Sequence, residues 1–308
     1  MTSSTSTARR ASPAASSWSY AGVKAGGSEM TTRIGSTVER LLVRTWNLFH
    51  GNTQPPGRKA FLREMVGLAS ADRPTVLCLQ ELPVWVLGLL DDWSGLTAVG
   101  AVAQRPTLGP FPSTPELGRA LTEVHHGRLR SAFTGQANGI LLSPDLQIRE
   151  HRHVILNPFR FRRAQAQRLG LGIIERLAWG KERRMCHAVR AQRGDETLVI
   201  GNLHATGFAD KRVPDAELLR AAVFVDGMAK RGEPVLLCGD FNVSVANSRT
   251  LADLTGAEWG FTGPTATGID HILVRGLDAS PPVRWPEERR RHEGRLLSDH
   301  APVERKVA

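Results

Sequence analysis

The chain is poor in cysteine, in lysine and in long apolar runs, and each shortage narrows what it can be. Among 308 residues the only cysteines are Cys78, Cys186 and Cys238. Each falls in an expected strand and no two have zinc-type spacing, which argues against a disulfide framework or a structural zinc site. They read as free buried thiols of a reducing compartment. No stretch approaches the roughly 20 apolar residues that a membrane-spanning helix needs. Residues 1–29 are rich in Ser, Ala, Thr and Gly and lack the apolar segment of a secretory signal. A cytoplasmic, monomeric protein without a transmembrane segment is the expectation. Signatures of other hydrolytic chemistries are missing too. There is no Gly-x-Ser-x-Gly elbow, no arginine six residues after a cysteine and no P-loop. Nothing supports a serine or cysteine nucleophile or a P-loop mechanism.

What is present is basic and amply apolar. Hydrophobic residues make up 41% of the chain and the formal net charge is +10, enough for a sizeable core and an anionic partner. Lysine occurs only at 24, 59, 181, 211, 230 and 306, so arginine carries the charge. Nucleic acid, anionic lipid or a phosphorylated metabolite would suit it; a coding bias towards Arg and Ala would produce it as well. Residues 1–36 contain Arg9-Arg10 and little that could pack, so a disordered tail is expected, with Met30 a natural alternative start. Residues 37–308 read as a single domain, because motifs at both ends must meet in one site.

Periodicity places the elements. Strands are expected at 40–46, 75–80 and 96–103, and helices at 58–70, 83–92 and 115–125. Residues 139–143 and 146–155 read as a hairpin turning at Pro144-Asp145. A second hairpin pairs 184–191 with 196–203 through Arg193-Gly194-Asp195. A helix at 213–230 precedes a strand ending at Asp240, and strands near 270–275 and 300–306 close the chain. Hairpins mixed with helices imply an α/β (α+β) fold, two packed mixed sheets flanked by helices in a four-layer sandwich.

The most informative segment is Gly239-Asp240-Phe241-Asn242, which follows the apolar run Val235-Leu236-Leu237-Cys238. Side chains alternate along a strand, so Asp240 and Asn242 project to one side while Phe241 points inward. Gly239 permits close backbone approach. Other polar groups also flank apolar runs: Asn47, Glu81, Asn202, His204, Asp270, Asp299 and His300. In a sandwich, residues at one end of several strands converge on a common cleft. Carboxylates gathered with an asparagine suit a hard divalent cation. A histidine paired with a carboxylate suits a general base, because an Asp accepting from one ring nitrogen fixes the tautomer.

The ordered series Thr45-Trp46-Asn47, Leu79-Gln80-Glu81, Asn202-Leu203-His204, Gly239-Asp240-Phe241-Asn242, Ile269-Asp270-His271 and Ser298-Asp299-His300 resembles the endonuclease/exonuclease/phosphatase superfamily. The resemblance runs from Asn47 to His300. It implies a deoxyribonuclease-I-like fold and metal-dependent hydrolysis of phosphate esters. By that resemblance Glu81 is the main ligand of Mg2+ (or Mn2+), supported by Asn47, with Asp299 aimed at the metal or the phosphate. Asp270 orients His300, and His204 stabilises charge or protonates the leaving oxygen. Asp240 and Asn242 position the attacking water and a phosphate oxygen, and either Asp240 or His300 takes its proton. Asn202, on the face of His204, could touch phosphate; His271, neighbouring Asp270, should point away as a structural residue.

Substrate is the open dimension. Arg160, Arg162 and Arg163, with Arg149, Arg152 and Arg168, interleave with Phe159 and Phe161 and could form a phosphate track, or a solvated strand edge. A nuclease acting on nucleic acid is the leading expectation. A phospholipid, sphingomyelin or inositol phosphate substrate is the alternative, and an inactive scaffold or nucleic-acid-binding module the reading from another class. Phosphoinositide phosphatases of this fold carry a Trp before the Gly-Asp and an Arg soon after the Asn. Here those surroundings are Leu237-Cys238 and Val243-Ser244.

Overall fold

Alternating apolar residues build two mixed sheets that bury one face on each other and the opposite face under helices. The computed structural model describes residues 40–124 and 133–308, within a compact unit spanning Glu39–Ala308. The tail expected over residues 1–36, with Met30, lies outside the described residues. In the two large sheets, β1 is Leu41–Asn47, β2 Val76–Leu82, β3 Thr97–Gln104, β4 Gln136–Leu142 and β5 Gln147–Ile155. They continue with β6 Met185–Arg193, β7 Glu196–His204, β8 Val235–Asp240, β9 Asp270–Arg275, β10 Val283–Arg284 and β11 Val303–Val307. The helices are α1 Leu62–Ser70, α2 Leu90–Ser94, α3 Pro115–Val124, α4 Phe159–Leu169, α5 Ile173–Gly180, α6 Arg212–Asp226 and α7 Arg249–Leu254.

One sheet has the order β10–β11–β1–β2–β4–β3 and the other β9–β8–β7–β6–β5. Each contains one parallel pair, β1 with β2 and β7 with β8, and the connections carry α1 and α6. A parallel pair needs such a crossover, and the helix it carries covers the outer face. Three clusters result. Val43, Val76, Cys78 and Ile140 meet Val189, Ile200, Leu236 and Ile272 between the sheets. Met65, Val66 and Ala69 of α1 cover Leu77, Leu79 and Leu141. Leu218, Ala221 and Val225 of α6 cover Val199, Leu203 and Leu237. Successive residues such as Val76 and Leu77 thus serve different clusters, as period two demands.

All three cysteines are free and buried. Burial pushes the thiols of Cys186 and Cys78 up. No helix among the described residues is long and apolar enough to cross a membrane. Two helices were not legible from periodicity: of the arginine-rich stretch read as a phosphate track or a strand edge, Arg149 and Arg152 do lie on the edge strand β5, while Arg160, Arg162, Arg163 and Arg168 are helical, on α4, with α5 after it. Only Ala166 of α4 and Trp179 of α5 are buried, too few apolar points to mark a 3.6-residue period.

The sheets are also tied by polar groups. Asn202 of β7 is fully buried, and its Nδ2 donates to the carbonyls of Leu79 (3.0 Å) and Gly139 (2.9 Å) in the opposite sheet. Its Oδ1 accepts from Gln80 Nε2 at 2.8 Å, and Gln80 Nε2 also reaches Thr45 Oγ1 at 2.9 Å. Here a sequence expectation is corrected: the carboxamide of Asn202 is consumed between the sheets and does not face the cleft. Asn202→Ala should therefore lower stability by about 2–4 kcal/mol, since it leaves buried donors and acceptors unpaired. Urea unfolding of the variant measures this; a loss below about 1 kcal/mol would contradict the clamp.

Candidate active site

The Gly-Asp-Phe-Asn motif works through backbone geometry. Gly239 has φ +134°, and a Cβ there would come within 2.0 Å of the Leu203 carbonyl oxygen on β7. Only glycine lets β8 lie so close beside β7, which brings Asp240 into register with His204. Phe241 is fully buried under α6 and stacks edge-on against His271. His271 is structural: its Nδ1 accepts from the Thr265 amide and its Nε2 donates to the Val243 carbonyl. Asn242 turns back with φ +53°; its amide donates to Asp240 Oδ1 (3.0 Å) and its Nδ2 to the Ala205 carbonyl (2.9 Å).

Glu81 reaches the cleft by a departure from strand geometry. Its neighbour Gln80 faces the opposite sheet, so regular alternation would aim Glu81 outward. Instead the ladder with β4 shifts register between Leu79 and Leu82, and Glu81 has φ +53°. A positive φ in a non-glycine residue is strained and is characteristic of sites where a side chain must be re-aimed. Glu81 then lies 3.4 Å from His204 Nε2 and 3.9 Å from His50 Nε2. Burial pushes its carboxyl above the usual range, and the charge of Asp299 adds to the push against Arg184, His300 and Asn47.

Asp240 sits at the centre. Asn47 Nδ2 donates to its Oδ2 at 3.0 Å, and the same oxygen is 3.5 Å from His204 Nε2 and 3.8 Å from His300 Nε2. Burial, then the charges of Asp270 and Glu81, raise it to about 7 against the pull of His300 and Asn47. His300 pairs through Nδ1 with Asp270 Oδ2 at 2.8 Å. Burial alone would lower its basicity, but the charge and hydrogen bond of Asp270, helped by Asp240 and Asp299, carry it up to about 10. The loop before it is fixed by Ser298, whose Oγ donates to the Asn47 carbonyl and accepts from the His300 amide. Asp299 is exposed at the mouth.

His204 has the opposite environment. Gln136 Nε2 lies 3.1 Å from its Nδ1, and Arg184 Nη1 lies against the ring edge, 2.9 Å from Nδ1 and 2.8 Å from Nε2. Arg184 faces both nitrogens, so the tautomer follows from the other neighbours: Gln136 donates to Nδ1, which leaves the ring proton on Nε2, facing Glu81 and Asp240. Burial and then the Arg184 cation hold the ring well below its ordinary basicity, so it stays neutral. Gln136, Arg184 and His50 were not singled out from the sequence. Arg184 was legible in principle: the turn at Arg193-Gly194-Asp195 sets Met185 opposite His204, so residue 184 must lie beside that histidine.

The structure therefore gathers Asn47, Glu81, His204, Asp240, Asn242, Asp270 and His300, with Asp299 at the rim. Asn202 lies beneath them, in the clamp. Of the arginines on α4, Arg162 lies against Gly180 of α5, while Arg160 and Arg163 are exposed. Asp240, Asp270 and His300 bring ligand-type atoms within 4.8 Å of one another, although Asp270 and His300 already engage each other.

The sequence profile of the Endonuclease/Exonuclease/phosphatase family matches residues 45–300, and the chain belongs to that family. Its members are phosphoesterase hydrolases, and the sandwich is of the deoxyribonuclease-I type. Among solved structures, an endonuclease/exonuclease/phosphatase from Bacteroides vulgatus superposes with TM-score 0.60 at 14% identity, covering 88% of this chain and 99% of that one. A humanized D. rerio TDP2 gives 0.58 at 14% identity, covering 87% and 99%. The mannosyl-6-phosphatase Bt3783 of Bacteroides thetaiotaomicron gives 0.57 at 16%, covering 87% and 99%. No curated protein matches significantly by sequence.

The His300 pair has a measurable signature in stability. A histidine raised from 6.5 to about 10 contributes stability that is fully present below pH 6.5 and is lost as pH rises through about 10. Asp240, raised from 3.8 to about 7, acts in the same direction, its contribution being lost as pH rises to about 7. In chelator, stability should fall by about 1 kcal/mol per pH unit between pH 7 and 8.5. His300→Gln should flatten that slope. Chemical denaturation at stepped pH reads the difference, and an unchanged slope in the variant would contradict the pairing.

Proposed function

We propose that the chain is a divalent-metal-dependent phosphodiesterase that uses water as nucleophile. The observation that carries this reading is the Asp270–His300 pair directed at Asp240, with the crowded carboxylates of Glu81 and Asp299 beside it. Hard cations such as Mg2+ and Mn2+ take oxygen ligands, and the donor set fits them. Glu81 and Asp299 would hold the cation, with Asn47 in support. The fit rests on charge: Glu81 is raised by burial and by Asp299, and Arg184 is already paired with Glu182. When bound, the cation supplies Lewis-acid neutralisation of the phosphate's non-bridging oxygens.

The remaining steps belong to the chain. Asp240, fixed by Asn47 and the Asn242 amide, orients the attacking water, and Asn242 supports a phosphate oxygen. His300 commits Nδ1 to Asp270 and turns Nε2 to Asp240; held protonated, it supports the Asp240 carboxylate, which takes the water's proton. His204, neutral and protonated on Nε2, presents a donor to the phosphate or leaving oxygen without adding a charge of its own.

The finer reading as a nuclease draws on the net charge of +10 and on the exposed Arg160 and Arg163. A phospholipid has a more specific observation on its side, the exposed aliphatic face of α5. Glu81→Gln should abolish turnover of a soluble phosphodiester while keeping the fold, because it removes an anionic ligand at constant volume. The test is hydrolysis of bis(p-nitrophenyl) phosphate with Mg2+ or Mn2+ and with chelator, beside far-UV circular dichroism. Wild-type turnover that survives chelator would refute metal dependence.

A further inference from the structure

The helical hairpin α4–α5 stands at the mouth of the site. β5 ends at Ile155 and β6 begins at Met185; these two residues pair, and Met185 also pairs with His204. The connection between β5 and β6, residues 156–184, therefore leaves the five-stranded sheet at the catalytic end. It is held from below. Trp179 is fully buried, stacks edge-on against Phe161 and donates its indole N–H to Glu217 of α6. Glu175 accepts from the Gly172 amide and caps the start of α5. With those residues turned inward, the aliphatic side chains of α5 point out.

Ile173, Ile174 and Leu177 are 76%, 83% and 71% exposed. At 100° per residue they occupy one sector of the helix, a contiguous aliphatic face. The same hairpin also exposes Arg160, Arg163, Arg168, Arg176, Lys181 and Arg183. Its two acids are occupied, Glu175 at the helix cap and Glu182 with Arg184. Isoleucine and leucine add nothing to a nucleic-acid track, which is read by cations and aromatic stacking. A second copy of the same basic face would be repelled, and protein interface cores are depleted of charge. An exposed aliphatic face on a hairpin that also exposes six cations matches a bilayer surface with anionic headgroups, where apolar side chains enter the acyl boundary and cations stay with phosphate.

We propose that the α4–α5 hairpin docks the protein on an anionic lipid bilayer and presents a phospholipid headgroup phosphodiester to the cleft beside it. The substrate part of this proposal rests on the phosphodiesterase reading; the docking surface does not.

Co-sedimentation of the full chain with phosphatidylcholine vesicles containing roughly 30% phosphatidylserine tests it. The wild type should pellet with them and much less with phosphatidylcholine alone, and added salt should weaken binding. Replacing Ile173→Ser, Ile174→Ser and Leu177→Ser together should weaken binding about tenfold or more at unchanged melting temperature and unchanged turnover of bis(p-nitrophenyl) phosphate. A wild type that stays in solution, or a triple variant that pellets equally well, overturns the docking surface. Tight DNA binding that the triple variant retains, without vesicle binding, overturns it in favour of nucleic acid. A wild type that pellets yet cleaves neither the soluble diester nor the vesicle lipid leaves the surface standing and removes the phosphodiesterase reading. Turnover of the soluble diester without pelleting does the reverse.

Discussion

One buried carboxamide holds the two sheets in the relation that the site requires. Asn202 spans the interface, donating to two carbonyls of the opposite sheet and accepting from Gln80. Glu81 follows Gln80 directly, and His204 lies two residues beyond Asn202 on the same face of β7. The clamp thus fixes the separation of residues contributed by different sheets. A purely apolar interface would tolerate small sliding between sheets; a satisfied polar network specifies one register. With the sheets fixed, Asn47 of β1 can bond Asp240 of β8 at 3.0 Å and close the cleft floor.

That geometry has an electrostatic consequence. Three carboxylates, those of Glu81, Asp240 and Asp270, come together where solvation is poor, with the exposed Asp299 at the rim. Burial and mutual repulsion raise Glu81 and Asp240, and the same field makes His300 strongly basic. His204, only 3.5 Å from Asp240, goes the other way because Arg184 faces its ring. Two histidines in one cleft are therefore given different protonation states by their immediate neighbours, His300 cationic and His204 neutral.

Much of this was legible in the sequence. Polar residues flanking apolar runs marked seven positions that the fold brings together, period two accounting for those at regular strand ends and Glu81 being the exception. The order of motifs marked the sandwich. Less visible were features that depend on partners distant in sequence. Asn202 looked like a cleft residue because it shares a face with His204; only the depth of the opposite sheet shows that it lies below the cleft. The backbone turn that re-aims Glu81 leaves no compositional trace. Helices α4 and α5 escaped because arginine dominates one and the apolar side chains of the other face outward, the reverse of the pattern that periodicity detects. The outward face that hid α5 is also the clearest clue to what this protein touches.

The division of labour proposed for the cleft has Glu81 and Asp299 holding the cation while Asp270 and His300 hold each other. Anomalous diffraction from crystals soaked in Mn2+ separates this from the competing set of Asp240, Asp270 and His300. The expected result is a peak within ligand distance of Glu81, with the His300 Nδ1 to Asp270 hydrogen bond intact. A peak coordinated by His300 and Asp270, with Glu81 outside ligand distance, would contradict it.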